Sequence, residues 1–246
     1  MRTNTPLISV NANAAFDFVE NSGGFQKEGR DRNRLTWEHV GMTDDRTERA
    51  TLDEQLADAW RGLAEAVGNG RHEWHLPVIA SVGVDGRPEA RTVVLRAADF
   101  ESRTLVFHTD RRSPKISEIE ASGRLAWAFY DRASKTQLRI SGATTVHSTD
   151  EVADAGWART ALSSRRCYLA PHAPSGVLEA WHPNLPDGLH ASRPDAETSE
   201  AGRRNFALVR TRVDRLERLE LHHDGHLRAA WSWDGSGRSE GRWLAP

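Results

Sequence analysis

The segment RTVVLRAADFESRTLVFHTDRRSPK, residues 91 to 115, decides how this chain folds. It opens with apolar Val93 and Leu95 set between Thr92, Val94 and Arg96, the two-residue alternation of a β-strand. Asp99 to Arg103 reads as a turn and Thr104 to Thr109 as a second strand. Ser113 then offers an N-cap hydroxyl with Pro114 at the first helical position, so a helix is expected from there to Ser122. Two strands and a helix start gather Arg91, Arg96, Thr109, Ser113 and Lys115 into one neighbourhood. Cations, hydroxyls and free amides at a helix N-terminus suit a phosphate group. A charged hairpin edge followed by an ordinary capped helix would use the same residues without a ligand.

Outward from that segment the two-residue period continues. Leu76 to Val84 and Glu89 to Ala97 flank Asp85-Gly86, a hairpin signal. Leu125 to Tyr130 and Thr136 to His147 follow as strands, and strands resume at Asn205 to Val213, Leu216 to His222 and His226 to Trp233, with Asp224-Gly225 as a turn. Upstream, Thr51 to Val67 is a helix: Thr51 and Glu54 form a capping box, Leu52, Leu56, Trp60, Leu63 and Val67 share a face, and Gly68 ends it. Glu151 to Leu162 is a second helix, capped by Ser148. Pro171 to Arg204 reads as a long loop. Residues 1 to 50, polar with scattered Phe16, Phe18, Phe25 and Trp37, read as a flexible N-terminal arm or one that packs on a partner subunit. Many short strands, few helices and hairpin turns predict a mainly β domain over residues 51 to 246, a small closed barrel with peripheral helices.

The 246 residues carry a net charge of −2, which argues against nucleic acid or an anionic membrane as the main partner. Lys27, Lys115 and Lys135 are the only lysines, so Lys115 is a rare residue in a telling position. Cys167 is the single cysteine, so no intrachain disulfide can form, and a cytoplasmic location without signal peptide or membrane span is expected. Cys167 with His172 lacks any wider nucleophile motif, and a buried or idle thiol is expected. His222, His223 and His226 are spaced for zinc across a turn, but no cysteine or carboxylate set completes the site, so no metal is expected. No Walker loop and no dinucleotide-binding G-x-G-x-x-G is present.

The segment's details resemble the FMN-binding signature of the pyridoxamine-phosphate-oxidase-like flavoproteins, which runs R-x-V-L-L-K, F-x-T, S-x-K. Here stand Arg91-Thr-Val-Val-Leu-Arg96, Phe107-His-Thr109 and Ser113-Pro-Lys115, in that order. Leu125-Ala-Trp-Ala-Phe-Tyr130, the R-Q-V-R-x-x-G-like Thr136-Gln-Leu-Arg-Ile-Ser-Gly142 and the closing Trp243-Leu-Ala-Pro246 extend the likeness. The resemblance implies an FMN-binding split barrel of about six antiparallel strands, dimerising with FMN at the subunit interface. It assigns the FMN phosphate to Arg91 and Lys115, helped by Ser113. Thr109 would meet the phosphate or ribityl chain, Arg96 and Gln137 would lie near the ring, and Val93 and Val94 would present backbone groups to its edge. An exposed strand face is the other reading of Gln137 and Arg139.

The implied activity is an FMN-dependent oxidoreductase moving a hydride between the flavin and a small molecule, with no single catalytic residue nameable. Departures bear on the substrate. The family's S-R-P-x-x-S-Q stretch, which helps to hold substrate phosphate, is matched here to Ser163-Ser-Arg-Arg-Cys-Tyr-Leu-Ala-Pro171, leaving Arg165 or Arg166, with Arg139, as substrate candidates. The R-L-H-D-R element reads His226-Leu-Arg-Ala-Ala230, so Arg228 would replace a cofactor-linked or substrate-linked arginine. Pro114 stands where arginine is common. A pyridoxamine (pyridoxine) phosphate oxidase, a non-catalytic flavin-binding protein and a deazaflavin-dependent reductase are the alternatives.

Overall fold

The computed structural model describes residues 51–189 and 193–246, all within one compact unit, Asp44–Pro246. The expected arm, residues 1 to 50, lies outside the described residues. Nine strands form one mainly antiparallel sheet: β1 Val78–Val82, β2 Pro88–Thr92, β3 Leu95–Asp99, β4 Thr104–Asp110, β5 Arg124–Asp131, β6 Thr136–His147, β7 Phe206–Glu220, β8 Leu227–Trp233 and β9 Ser239–Trp243. The helices are α1 Leu52–Gly68, α2 Lys115–Ser122, α3 Glu151–Arg159, α4 Leu162–Arg165 and α5 Ala196–Glu200. The architecture is the expected split barrel with peripheral helices, with nine strands instead of about six. Its hydrogen-bonded path, β2-β1-β5-β6-β7-β4-β3, does not close, which corrects the closed barrel expected from the strand pattern: β2 and β3 remain as edges with no hydrogen bonds between them.

The spine is β7. Its first part, Phe206 to Arg212, pairs with β4, and its last part, Arg215 to Glu220, pairs with β8, while β6 runs along the other edge throughout. The handover falls at a bulge, where Ser141 and Gly142 of β6 oppose Arg215 and Val213 and leave Asp214 as the extra residue. Val209 and Val213 face the main core two-by-two, and Leu216 resumes it after three, because the bulge restores the facing lost by the odd count. Two strands expected at 205–213 and 216–222 are therefore one.

The strand expected at Glu89 to Ala97 is instead two. The chain leaves β2 at Thr92, crosses through Val93-Val94 and restarts as β3 at the opposite end of the sheet path. Val93 N–H donates to Pro77 O at 3.0 Å, which pins the crossing. Arg91 and Arg96 thereby fall on opposite ends of the path.

The core under the sheet contains Leu63, Ile79, Leu95, Phe107, Trp127, Leu138 and Leu216, with Trp127 and Phe129 stacked at 6.0 Å. Each such side chain contributes on the order of 1.5–3 kcal/mol on burial. The Trp127 Nε1–H donates to Thr211 Oγ1 at 3.1 Å, so the buried indole is satisfied. Helix α1 seals this core against β3. Its capping box forms as expected, with Glu54 N–H donating to Thr51 Oγ1 and Thr51 N–H to Glu54. A second cluster, Val106, Trp157, Tyr168, Phe206 and Leu208, packs α3 onto the other face of β4 and β7.

Two expected caps are corrected. Asp150, not Ser148, caps α3, accepting from Ala153 N–H at 2.9 Å, and the helix stops at Arg159. Helix α2 begins at Lys115 with no side-chain cap, because the Ser113 hydroxyl is turned to Lys115. The expected loop from Pro171 to Arg204 includes the short helix α5. Cys167 is exposed, not buried. Among the described residues no helix is long and apolar enough to cross a membrane.

Candidate functional site

The Lys115 ammonium is held by two hydroxyls, donating to Ser113 Oγ at 2.6 Å and Thr109 Oγ1 at 3.1 Å. It stands at the start of α2, across the Asp110–Ser113 turn from the end of β4. Arg91 comes from β2 on the other side of the cleft, donating to Ser81 Oγ and to the Glu118 carboxylate. Ser81 also donates to Glu118, at 2.6 Å, and this carboxylate is only 6% exposed. Burial lowers the Lys115 pKa, and the charge of Arg91 lowers it further, against Glu118 and Asp110. Arg91, Ser113, Lys115 and Glu118 line one cleft of about 430 Å³, with Pro174 and Ser175 at its rim.

Two cations facing one tied carboxylate, with one cation partly desolvated, form a donor set that fits an oxyanion such as the FMN phosphate. Sequence reasoning missed Glu118 and Ser81. An acidic residue one turn after Lys115 was the available signal for Glu118; Ser81 lies in an unremarkable strand and carried none.

The remaining candidates do not join this cleft. Arg96 lines a different one, with His108 and Arg159. The Val93 N–H expected at a ring edge is spent on Pro77 O, and Val94 is half-buried in the crossing. Gln137, Leu219 and Arg228 lie side by side across β6, β7 and β8, and Arg139 and Glu217 form the next row. Glu217, 3% exposed, is gripped by Arg228 at 2.7 and 3.1 Å and approached by Arg139 at 3.4 Å. Burial works against its charge, but the Arg228 hydrogen bonds and the Arg139 charge prevail and hold its carboxyl below the usual range. The Arg228 guanidinium is therefore already partnered within its own chain.

Arg165 is a structural residue, which corrects its expected role toward substrate. Its guanidinium donates to the carbonyls of Thr160 at 3.0 Å and Trp157 at 2.8 Å, pairs with Glu200 at 2.7 Å and lies over the Trp157 ring at 4.5 Å. Arg165→Met is expected to cost about 2–3 kcal/mol, because the buried Thr160 carbonyl loses its donor, the Trp157 carbonyl keeps only the Thr160 N–H, and the Glu200 pair is lost. Urea unfolding checks this; a loss under about 0.5 kcal/mol would return Arg165 to the functional candidates. Arg166 is half-buried on the following 3-10 turn.

Arg159, which sequence reasoning passed over, lines the same cleft as Arg96. Ala158-Arg159-Thr160-Ala161-Leu162-Ser163-Ser164 keeps the arginine and serine of S-R-P-x-x-S-Q at their own spacing, and that register was the signal. At the histidine triplet, His222 faces Glu220 at 2.8 Å and His223 faces Asp224 at 2.5 Å, while His222 N–H donates to His226 Nδ1. No group of three or more His, Cys, Asp or Glu able to hold a metal occurs among the described residues.

A family model described as pyridoxamine 5'-phosphate oxidase, FMN-binding domain, matches residues 57–148. A pyridoxine/pyridoxamine 5'-phosphate oxidase of Rubrobacter xylanophilus is 34% identical over 139 residues, 54% of this chain and 57% of that protein. One of Paracoccus denitrificans is 34% identical over 154 residues, 58% of this chain and 68% of that protein. The chain thus spans little more than half the length of the first of these curated relatives. Among solved structures, a pyridoxamine 5'-phosphate oxidase-related, FMN binding protein from Nostoc punctiforme has a TM-score of 0.59 at 23% identity, covering 76% of this chain and 97% of its own. PhzG from Burkholderia lata, solved with tetrahydrophenazine-1-carboxylic acid, has a TM-score of 0.59 at 19% identity, covering 81% and 95%. At these identities both likenesses speak to the fold.

Proposed function

The chain belongs to the pyridoxamine 5'-phosphate oxidase-like family of FMN-binding proteins, and from that membership and its cleft we propose that it is an FMN-dependent oxidoreductase acting on a small molecule. The observation that carries this reading is Lys115, partly desolvated beside Arg91 in a cleft where Ser113 supplies a hydroxyl. An FMN phosphate there relieves the repulsion between the two cations and takes charge-assisted hydrogen bonds from both. Bound FMN supplies hydride-transfer chemistry. The protein's part is placement: Glu118 and Ser81 fix the Arg91 guanidinium, and Thr109 and Ser113 fix the Lys115 ammonium.

Residues 51 to 246 are the proposed FMN-binding domain, acting as a cytoplasmic homodimer. Support for two chains per site comes from the scatter of candidates over separate faces. Gln137, Arg139 and Arg228 lie on a sheet face where Ala126, Ala128 and exposed Val78 present small side chains to a second copy. A ring bound near Lys115 of one chain would then meet Gln137 of the other.

The visible absorption spectrum of the freshly purified protein, with and without added FMN, tests the reading, with mass identification of anything released. A flavin spectrum and released FMN are expected. A colourless protein that also fails to bind added FMN would overturn it.

A further inference from the structure

After Leu169 the chain enters the irregular segment 171–189, and a few contacts fix where it starts and how it folds back. Arg112, paired with Asp110 at 2.6 Å, donates to Ala170 O at 2.9 Å, which ties the entry to the turn before Lys115. His172 N–H donates to Asn184 Oδ1 at 3.0 Å, and Asn184 Nδ2 donates to His172 O at 3.1 Å, so the two residues meet in a neck. Asn184 N–H donates to His182 Nδ1 at 2.9 Å, and the His172 and His182 rings pack edge-on at 5.2 Å. The Asn184 backbone is left-handed, with φ 55°, a conformation that asparagine tolerates. Residues 173 to 183 therefore form an Ω-loop closed at its base.

The two parts of this loop differ in character. Pro174 and Ser175 form the rim of the cleft that holds Arg91 and Lys115. Directly after them Val177, Leu178 and Trp181 stand in solvent, Val177 99% and Trp181 88% exposed. Among the described residues none of the three belongs to a core cluster, and Trp181 has no ring contact. An apolar tip that packs on nothing, held by a stapled neck beside a ligand cleft, is a contact surface. What it contacts follows from the cleft it borders. Arg91, Lys115 and Ser113 offer charges and a hydroxyl, which suit the FMN phosphate, but no aromatic or large aliphatic side chain lines that cleft to meet the flavin ring. The Val93 N–H is spent on Pro77 O, and Arg96 lines another cleft. Six extended residues reach at most about 20 Å, so Trp181 stays in the neighbourhood of the rim formed by Ser175.

We propose that the tip, residues 177 to 181, covers the isoalloxazine ring of FMN bound in the cleft of the same chain, with Trp181 in contact with the ring and Asn184 as the residue that positions the tip. This rests on the flavoprotein reading and adds to it a cofactor-covering element. An indole suits the task, because it offers a large flat surface for an aromatic partner and has only two side-chain torsions to fix.

The test reads flavin emission from the full-length, FMN-loaded protein. An indole in contact with a flavin quenches its fluorescence by lending an electron to the excited ring, and a phenyl group does not. Trp181→Phe is expected to lengthen the emission lifetime of bound FMN several-fold at nearly unchanged affinity. Trp181→Ala should do the same and also weaken FMN binding, by about five- to tenfold. Asn184→Gly keeps the left-handed backbone but removes both side-chain bonds of the neck, so its emission should rise as well. A loop that served only the fold would move none of these lifetimes at full FMN occupancy. Bound FMN with the same lifetime in Trp181→Phe as in the unsubstituted protein would overturn the proposal and leave the flavoprotein reading standing. No FMN binding by the unsubstituted protein would overturn both. Mixed samples of a Trp181→Phe chain and a Lys115→Ala chain, at limiting FMN, place the cofactor in the first chain only. Bright emission is expected there, and quenched emission would overturn the same-chain assignment by showing that the tip reaches a second copy.

Discussion

Lys115→Ala is expected to weaken FMN binding by about 2–3 kcal/mol, roughly 30- to 150-fold, while leaving the stability of the unliganded fold nearly unchanged. The two halves of that expectation have one cause. The lysine's charge is disfavoured in the free protein by burial and by Arg91, and its partners Ser113 and Thr109 are hydroxyls, not carboxylates. Removing it costs the empty fold two hydrogen bonds and relieves an unfavourable charge. The FMN phosphate, by contrast, loses its most desolvated donor. Fluorescence titration of FMN together with urea unfolding separates the terms. Unchanged FMN affinity would refute the phosphate site, and a large stability loss would refute the claim that Lys115 serves binding and not the fold.

The same lysine gives the binding a pH dependence of known sign. Its folded-state pKa lies below the ordinary lysine value, and a bound phosphate favours the charged form. FMN affinity is therefore full below that lowered pKa and falls as pH rises through it, by up to about tenfold per pH unit, because binding must then take up a proton. In the unliganded protein the unfolded chain holds this proton more tightly, so stability rises with pH between the lowered value and the ordinary one. Lys115→Arg keeps the charge without titrating there and should flatten the affinity profile.

How much of this was legible in the sequence depends on whether the signal was local. The α1 capping box needs only Thr51 and Glu54, and it formed as read. Strands β5 and β6 alternate cleanly, and β4 to β6 were found with nearly their observed ends. Alternation says nothing about which strand is the neighbour, so the crossing at Val93-Val94, where the apolar pattern runs on unbroken, was invisible. So was the separation of Arg91 from Arg96 that it produces. Ser113 illustrates a second limit: a hydroxyl before a proline reads as a cap, but the ammonium two residues on competes for it and wins. Arg165 and Arg159 show a third. Both are arginines near a recognisable stretch, and only packing reveals that one is spent on the carbonyls at the end of α3 while the other is left facing a cleft.

Gly142→Ala is expected to be the most damaging single substitution, costing about 4 kcal/mol or more, with an insoluble product as its extreme form. A Cβ on Gly142 would lie 1.9 Å from Arg212 O and 2.9 Å from Val213 Cα. Those are backbone atoms, so no rotamer change relieves the clash. Only separation of β6 from β7 does, and that pair is the spine of the sheet. The contact is close because Asp214 bulges out of β7 opposite this residue, and Arg124 holds the bulge through hydrogen bonds of 2.7 and 2.9 Å to the Asp214 carboxylate. The bulge in turn lets one strand serve β4 before it and β8 after it, which carries Glu217 and Arg228 to the far face. The glycine that closes the R-Q-V-R-x-x-G-like stretch is thus needed for an approach of two backbones, not for flexibility. Arg124→Ala, which frees the bulge without introducing a clash, should cost only about 0.5–1 kcal/mol, since Arg124 is exposed and Asp214 partly so. Thermal unfolding of the two variants checks the order. A Gly142→Ala protein as stable as Arg124→Ala would mean that the strands separate cheaply at the bulge, and the role assigned here to β7 as a rigid spine would fall.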